Sequence, residues 1–360
     1  MSAPRILLAG AGTAGHVAPL LATAAAIRER EPDAELVALG TADGLEADLV
    51  PTAGLELATI EKVPFPRRPN GAALRFPQRF ARTLRQVSDL LRERQIQVVA
   101  GFGGYVCPPA YIAAGRTRTP VVLHEANVRP GLANRLGARR AHAVLTAFDS
   151  TRLRGARRIG MPMRASIAHL DRAARHDDAV RAFGLDPARP VLLATGGSLG
   201  AQRLNESVRD AAEELLAAGA QILHLTGRGK AQDIPERPGH RVLEYCHAME
   251  DAYAAADLAL TRSGAGTVSE LTAVGLPAIL VPLPIGNGEQ ALNGREVVAA
   301  GGALMIPDGE LTAARLLSDA LPLLTDQDRL ADMAASARRF GISDAAETMA
   351  DIVIGAARRA

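Results

Sequence analysis

The sequence predicts an α/β protein built from two doubly wound parallel-sheet domains in tandem. Three observations carry this. Strand-like and helix-like stretches alternate from end to end, which implies parallel sheets flanked by helices. A strand–glycine loop–helix pattern occurs twice, at Gly10-Ala11-Gly12-Thr13-Ala14-Gly15 and at Thr195-Gly196-Gly197-Ser198-Leu199-Gly200. The chain has 360 residues, 48% of them hydrophobic, long for one core and enough for two. Such a pair is expected to enclose a crevice between the domains.

In chain order, Arg5–Ala9 reads as the first strand and His16–Arg30 as its helix, with Glu35–Leu39 the second strand. A helix is expected over Pro77–Arg94, then short strands at Val98–Ala100, Val121–Leu123 and Ala143–Thr146. Gly160-Met161-Pro162 interrupts the periodicity and puts the junction near Arg154–Arg164. The pattern restarts with a strand at Val191–Thr195 and a helix from Ala201 to about Ala217. Strands at Gln221–Leu225, Val242–Glu244, Leu258–Thr261 and Ala278–Val281 follow, with helices between them and more helices after Thr325. The expected division is 1–160, 161–340 and a C-terminal helix over 341–360, the last a candidate to cross back to the first domain.

Composition excludes several classes. A net charge of +2 gives no general basic surface for nucleic acid. Cys107 and Cys246 form neither a disulfide framework nor a metal-ligand spacing, which fits a reducing compartment. Met1 to Pro4 run straight into a strand without the apolar core of a signal peptide, and no run reaches the length of a spanning helix. A soluble or peripheral protein is expected.

The most informative stretch is Arg262-Ser263-Gly264-Ala265-Gly266-Thr267-Val268-Ser269-Glu270-Leu271. It follows an apolar strand and opens an apolar-periodic helix. Small residues there let a ligand approach the backbone, and the N–H groups and dipole of a helix start favour phosphate. Glu270 carries two readings. Beside a phosphate it would accept hydrogen bonds from sugar hydroxyls, which implies a nucleotide or nucleotide sugar. Alternatively it stabilises the helix start as an N-terminal acid.

Residues 10–15 match G-x-G-x-x-G, yet the second strand ends Leu39-Gly40-Thr41 with no acid before Asp43, which speaks against a nicotinamide site. The loop instead runs into His16 at the carboxyl edge of the sheet. There the helix dipole favours a neutral imidazole able to accept a proton, a polar helix cap being the other reading. The Ser198 hydroxyl and neighbouring N–H groups suit a diphosphate. Arg164 and Arg262 are candidate compensating cations, or ordinary surface arginines. The loop Gly286 to Asn293, with Asn287, Glu289 and Gln290, suits sugar hydroxyls or serves as a structural turn.

With these residues in hand, the chain closely resembles the MurG family, the N-acetylglucosaminyltransferases that convert undecaprenyl-pyrophosphoryl-MurNAc-pentapeptide (lipid I) to lipid II. The resemblance runs over essentially the whole length. It rests on Gly12-Thr13-Ala14-Gly15-His16-Val17-Ala18-Pro19, Gly101-Phe102-Gly103-Gly104-Tyr105-Val106, His124-Glu125-Ala126-Asn127, Gly196-Gly197-Ser198-Leu199-Gly200-Ala201, Arg262-Ser263-Gly264-Ala265 through Glu270, and Gln290 with Asn293. It implies a GT-B fold, two Rossmann-like domains with the active site in the interdomain cleft and no metal or cofactor. It further implies that the C-terminal domain holds UDP-GlcNAc, with Ser198 and its loop on the diphosphate, Glu270 on the ribose, Gln290 on the GlcNAc hydroxyls, Arg164 on the donor's charged portion and the backbone near Cys246 on uracil. Thr13, Ala14, Gly15, Glu125 and Asn127 would face the acceptor and the transferred sugar. The chain departs from the family at Ala11 and Ala14, where glycine is usual, at Glu289, where many members have Gln or His, and at Cys246, commonly aliphatic.

The implied chemistry is an inverting transfer from UDP-GlcNAc to the C4 hydroxyl of MurNAc, with His16 the first candidate base and Glu125 the second. The rivals are a GT-B glycosyltransferase with another acceptor and a UDP-GlcNAc 2-epimerase. The resemblance also implies a peripheral place on the cytoplasmic face of the cell membrane, roles in peptidoglycan synthesis, cell shape and division, and cell-wall synthesis proteins as partners. Phe65, Arg67, Arg68, Leu74, Arg75, Phe76, Arg79, Phe80, Arg82, Leu84 and Arg85 lie in one stretch. The Phe65–Phe76 segment suits an anionic lipid surface. The face formed by Phe80, Leu84, Val87 and Leu91 better suits packing against the sheet.

Overall fold

In the computed structural model the described residues are 3–66, 71–197, 200–284 and 287–360, with the side chains of 71–73 left aside. The chain divides into two compact units, residues 1–164 with 344–360 and residues 165–343.

The first unit begins β1 (Arg5–Gly10), α1 (Ala14–Arg30), β2 (Glu35–Gly40), α2 (Leu45–Thr52), β3 (Glu56–Thr59) and α3 (Gly71–Glu93). It continues β4 (Val98–Gly103), α4 (Cys107–Thr117), β5 (Val121–Glu125), α5 (Leu132–Gly137), β6 (Ala143–Thr146) and β7 (Ala156–Arg158). Its seven parallel strands lie in the order β3-β2-β1-β4-β5-β6-β7, with Leu7 of β1 opposite Val37 on one side and Val99 on the other. Alternate strand residues enter different cores, as a sheet covered on both faces requires. Ile6 and Leu8 pack with Leu20, Ile27 and Phe102; Leu7 and Ala9 pack with Leu84, Val87 and Tyr111.

The second unit holds α6 (Ala165–Ala168), α7 (Arg172–Ala182), β8 (Val191–Thr195), α8 (Gln202–Ala217), β9 (Gln221–Leu225), β10 (His240–Leu243), α9 (Met249–Ala255) and β11 (Leu258–Thr261). There follow α10 (Ala265–Val274), β12 (Ala278–Leu280), α11 (Glu289–Asn293), α12 (Arg295–Ala299), β13 (Ala303–Met305), α13 (Ala313–Leu324) and α14 (Gln327–Arg338). Its sheet is again wholly parallel, β10-β9-β8-β11-β12-β13. The last helix, α15 (Ala345–Ala357), belongs to the first unit and buries Met349, Val353 and Ile354 in the core beneath α1. Arg30 and Asp351 pair at 2.6 Å at its edge, and Arg358 pairs with Glu31.

In both sheets the winding direction reverses, between β1 and β4 and between β8 and β11. Open α/β sheets bind ligands beyond the carboxyl ends of the strands at such points.

Candidate active site

In the second unit the reversal brings the loop after β8 beside the turn after β11. Gly200 has φ +66°, and a Cβ there would lie 2.1 Å from the carbonyl oxygen of Thr226, so the loop needs glycine. Ser198 lies outside the described residues. At the start of α10 the N–H groups of Ala265, Gly266 and Thr267 meet no acceptor among the described residues, and Gly264 supplies no capping side chain. They form an open set of donors at the positive end of a helix dipole. Val268 and Ser269 are buried in the next turn.

Glu270 is the sixth residue of α10. It lies past the first turn, where an acid gains from the dipole, so the N-terminal-acid reading fails. The hydroxyl of Tyr253 in α9 donates to its Oε2 at 2.7 Å and orients the carboxylate. Arg172, whose guanidinium burial pushes down to about 10, donates to the carbonyls of Tyr253, Ala256 and Gly275. It thereby ties together the C-terminal ends of α9 and α10. Sequence reading missed both Tyr253 and Arg172, because each acts across elements distant in the chain.

Gln290, in the first turn of α11, accepts from the N–H of Leu283 at 2.9 Å through Oε1, and its amide nitrogen has no partner among the described residues. Glu289 caps its own loop, accepting from the N–H of Asn287 at 2.9 Å. Asn293 is buried and donates to the carbonyl of Ser263 at 3.5 Å, joining this loop to the turn after β11. The Cys246 thiol donates to the carbonyl of Ala248 at 3.2 Å and so is committed to its own loop. Arg262, the second candidate cation, pairs with Asp308 at 2.6 Å and donates to the carbonyl of Val281. Arg164 is exposed and ends the first of the two segments that make up the first unit.

In the first unit the reversal sets the loop after β1 against the loop after β4. The helix starts at Ala14, two residues before the expected His16, so the imidazole stands within its first turn. The N–H groups of Thr13, Ala14 and Gly15 meet no acceptor among the described residues. His16 is half-buried, and its Nδ1 lies 2.9 Å from the carbonyl oxygen of Ala11 and 3.2 Å from the Thr13 hydroxyl. A carbonyl only accepts, so Nδ1 carries the proton and Nε2 keeps its lone pair. Nε2 lies over Gly103, where φ is +112° and a Cβ would stand 2.8 Å away.

Glu125 is buried at the end of β5, and both its carboxylate oxygens are engaged. Oε1 accepts from the N–H of Asn127 at 2.9 Å; Oε2 accepts from the N–H of Gly131 and the side-chain amide of Asn134, both at 3.0 Å. These three hydrogen bonds tie the carboxylate to the loop that follows β5. The Asn127 carbonyl accepts from the Thr151 hydroxyl at 3.1 Å.

Sequence reading also missed Glu46. Asp43 is the first acid after β2, but the carboxylate that meets the glycine loop is that of Glu46 in α2. Glu46 is wholly buried and accepts from the N–H of Gly12 at 3.0 Å and from the N–H and hydroxyl of Thr41 at 3.0 and 2.7 Å. Burial works to raise its pKa, but the hydrogen bonds outweigh it and hold the carboxyl below its ordinary range. The signal was present in Gly40-Thr41-Ala42-Asp43-Gly44-Leu45-Glu46: a Cβ on Gly40 or Gly44 would fall 2.5 or 2.3 Å from Glu46 atoms.

Two doubly wound sheets, each with a glycine loop and an open helix start at its point of reversal, form the GT-B architecture, and the family matches make its class a glycosyltransferase. Residues 6–146 match the glycosyltransferase family 28 N-terminal domain, and residues 191–349 match the family 28 C-terminal domain. The chain is 53% identical over 356 residues to the UDP-N-acetylglucosamine--N-acetylmuramyl-(pentapeptide) pyrophosphoryl-undecaprenol N-acetylglucosamine transferase of Paenarthrobacter aurescens (strain TC1), covering 98% of this chain and 96% of that protein. The crystal structure of Acinetobacter baumannii MurG is similar with TM-score 0.80 and 27% identity, covering 98% and 99% of the two chains. A putative UDP-N-acetylglucosamine 2-epimerase from Listeria monocytogenes shares the fold alone, with TM-score 0.69 and 15% identity over 96% and 94% of the chains. The chain belongs to the MurG family of N-acetylglucosaminyltransferases within glycosyltransferase family 28.

Proposed function

We propose that this chain moves GlcNAc from UDP-GlcNAc to the C4 hydroxyl of MurNAc in lipid I, giving lipid II for peptidoglycan synthesis. The observation that carries the donor half is the start of α10. Its open N–H donors suit the diphosphate, and the oriented Glu270 follows about 7–8 Å further along the axis, a separation that suits the ribose of the same nucleotide. Ser198, Gln290, Arg164 and the backbone at Cys246 complete this reading, with the diphosphate, the GlcNAc hydroxyls, the donor's charge and uracil as their respective partners.

The acceptor half rests on the first unit. The donors of Thr13, Ala14 and Gly15 face the acceptor, with Asn127 held on the loop that Glu125 fastens. The C4 oxygen attacks the anomeric carbon as the bond from that carbon to the diphosphate oxygen breaks. The electron pair leaves with UDP, and the hydroxyl proton passes to Nε2 of His16. N–H donors and the helix dipole stabilise the departing charge, and a placed base contributes roughly 10²–10⁴-fold. Because lipid I is a polyprenyl lipid, the enzyme works as a peripheral protein on the cytoplasmic face of the membrane, beside other cell-wall synthesis proteins. No helix among the described residues is long and apolar enough to cross a membrane.

The test follows radiolabelled sugar from UDP-GlcNAc into the lipid fraction, with and without a short-chain lipid I analogue. Acceptor-dependent UDP release with label in the lipid is expected. Release of a free UDP-sugar epimer without acceptor would instead identify an epimerase.

A further inference from the structure

We propose that Glu46 is a positioning residue for His16 and acts on it through the peptide group joining Ala11 to Gly12. The N–H of Gly12 and the C=O of Ala11 are the two ends of one amide. Glu46 Oε2 accepts from the N–H at 3.0 Å, and the carbonyl accepts from His16 Nδ1–H at 2.9 Å. A carboxylate on the N–H side polarises the amide and strengthens its carbonyl as an acceptor. The stronger acceptor fixes the proton on Nδ1, aims the Nε2 lone pair over Gly103, and stabilises the imidazolium once Nε2 takes a proton. This is the part an aspartate plays behind a catalytic histidine, with a peptide unit interposed.

Three features favour this role over simple loop packing. The carboxylate is buried with its oxygens hydrogen-bonded, so it keeps its charge close to the loop. Gly40 and Gly44 leave room that any larger residue would fill. Cys107 and Lys62, which also lie near the loop, do not duplicate the charge, and the Glu125 carboxylate, whose charge reaches Cys107, is hydrogen-bonded to Asn127, Gly131 and Asn134. Cys107 accepts from Gly103 N–H, and burial pushes its thiol up to about 11, so it stays neutral. Lys62 lies over the Tyr105 ring at 5.5 Å.

The inference rests on His16 as the base, and its test keeps the two apart. In the full chain labelled with ¹⁵N-histidine, the imidazole signals are followed against pH for the parent and Glu46→Gln, with His16→Ala providing the assignment. In Glu46→Gln the His16 ring signals change with pH differently from the parent's, the Nδ1–H tautomer being less favoured, and the acid limb of kcat/KM changes with them. KM for UDP-GlcNAc stays unchanged and kcat falls. A folded Glu46→Gln protein whose His16 titration coincides with the parent's overturns the proposal. Should that variant fail to fold, the Gly12 amide proton of the parent provides the readout: it shifts with His16 titration if the peptide couples the two, and a static signal overturns the proposal. His16→Ala with full turnover removes His16 as the base while leaving the coupling to be read by the same spectra.

Discussion

Glu270 and Tyr253 show what a single pair of side chains contributes. A carboxylate held by a tyrosine hydroxyl is oriented before any ligand arrives, so the ribose contact proposed for it would cost little rotamer freedom. Hydrogen bonds to a charged group are worth roughly 1.5–3 kcal/mol. Glu270→Gln should therefore weaken UDP-GlcNAc binding by roughly 10- to 100-fold in calorimetry. Tyr253→Phe, which removes that hydrogen bond but keeps the carboxylate, should cost less. Equal affinity of Glu270→Gln and the parent would remove the ribose role. Glu270 was legible in the sequence because it closes a small-residue turn after an apolar strand. Tyr253 was not, since nothing local to α9 distinguishes it from a core aromatic. The same holds for Glu46, whose partner Gly12 lies 34 positions away.

At the level of elements, the fully buried apolar strands were readable and three strands at the sheet edges were not. β1, β8 and β11 are continuous apolar runs, whereas β3 and β7 are edge strands with little burial and β13 is three residues long. Pro77 was read as a helix start but sits inside α3, whose first turns precede it. In α3 the face of Leu84, Val87 and Leu91 is buried against the sheet, while Phe65 and Leu74 are 65% and 86% exposed. Phe65 packs on Phe76 at 4.9 Å and Phe76 stacks on Phe80 at 5.4 Å, leaving an aromatic and leucine surface beside the exposed Arg75. Arg79 is occupied by Glu61 at 2.9 Å, and Arg67 and Arg68 lie outside the described residues. Replacing Phe65 and Leu74 by Asp should reduce co-sedimentation with anionic vesicles, with turnover on a water-soluble acceptor analogue retained. Unchanged pelleting would count against a lipid-facing surface. The return helix α15 makes a separate claim. Met349 is fully buried under α1, so Met349→Ala should cost roughly 2–5 kcal/mol. That loss should appear in the unfolding transition of the first unit while UDP-GlcNAc still binds the second.

Across the whole molecule the tandem repeat of glycine loops was the legible feature, since each loop must follow the central strand of a doubly wound sheet. Three buried histidines, of which only His124 belongs to a sequence motif, make the fold sensitive to acid. His124 is buried with Nε2 2.8 Å from the carbonyl of Gly160. His224 and His240 stack with ring centroids 5.6 Å apart, and His224 Nε2 lies 3.1 Å from Asn205 Oδ1. Burial pushes His124 down to about 4; burial and the neighbouring His240 push His224 to about 3; burial and Arg237 push His240 to about 4. In the unfolded chain each takes a proton near pH 6.5. Between that pH and about 4 the unfolded state thus binds more protons, and stability falls as pH falls. The slope approaches about 1.4 kcal/mol per pH unit for each histidine. Urea midpoints should be level above pH 7 and drop steadily from pH 6.5 to 4.5 in both units, more steeply in the second because it carries two of these groups. His240→Asn should flatten the second unit's slope and leave the first unchanged. Midpoints that stay constant from pH 7.5 to 5 would mean these histidines are protonated in the folded protein, and the burial argument would fail.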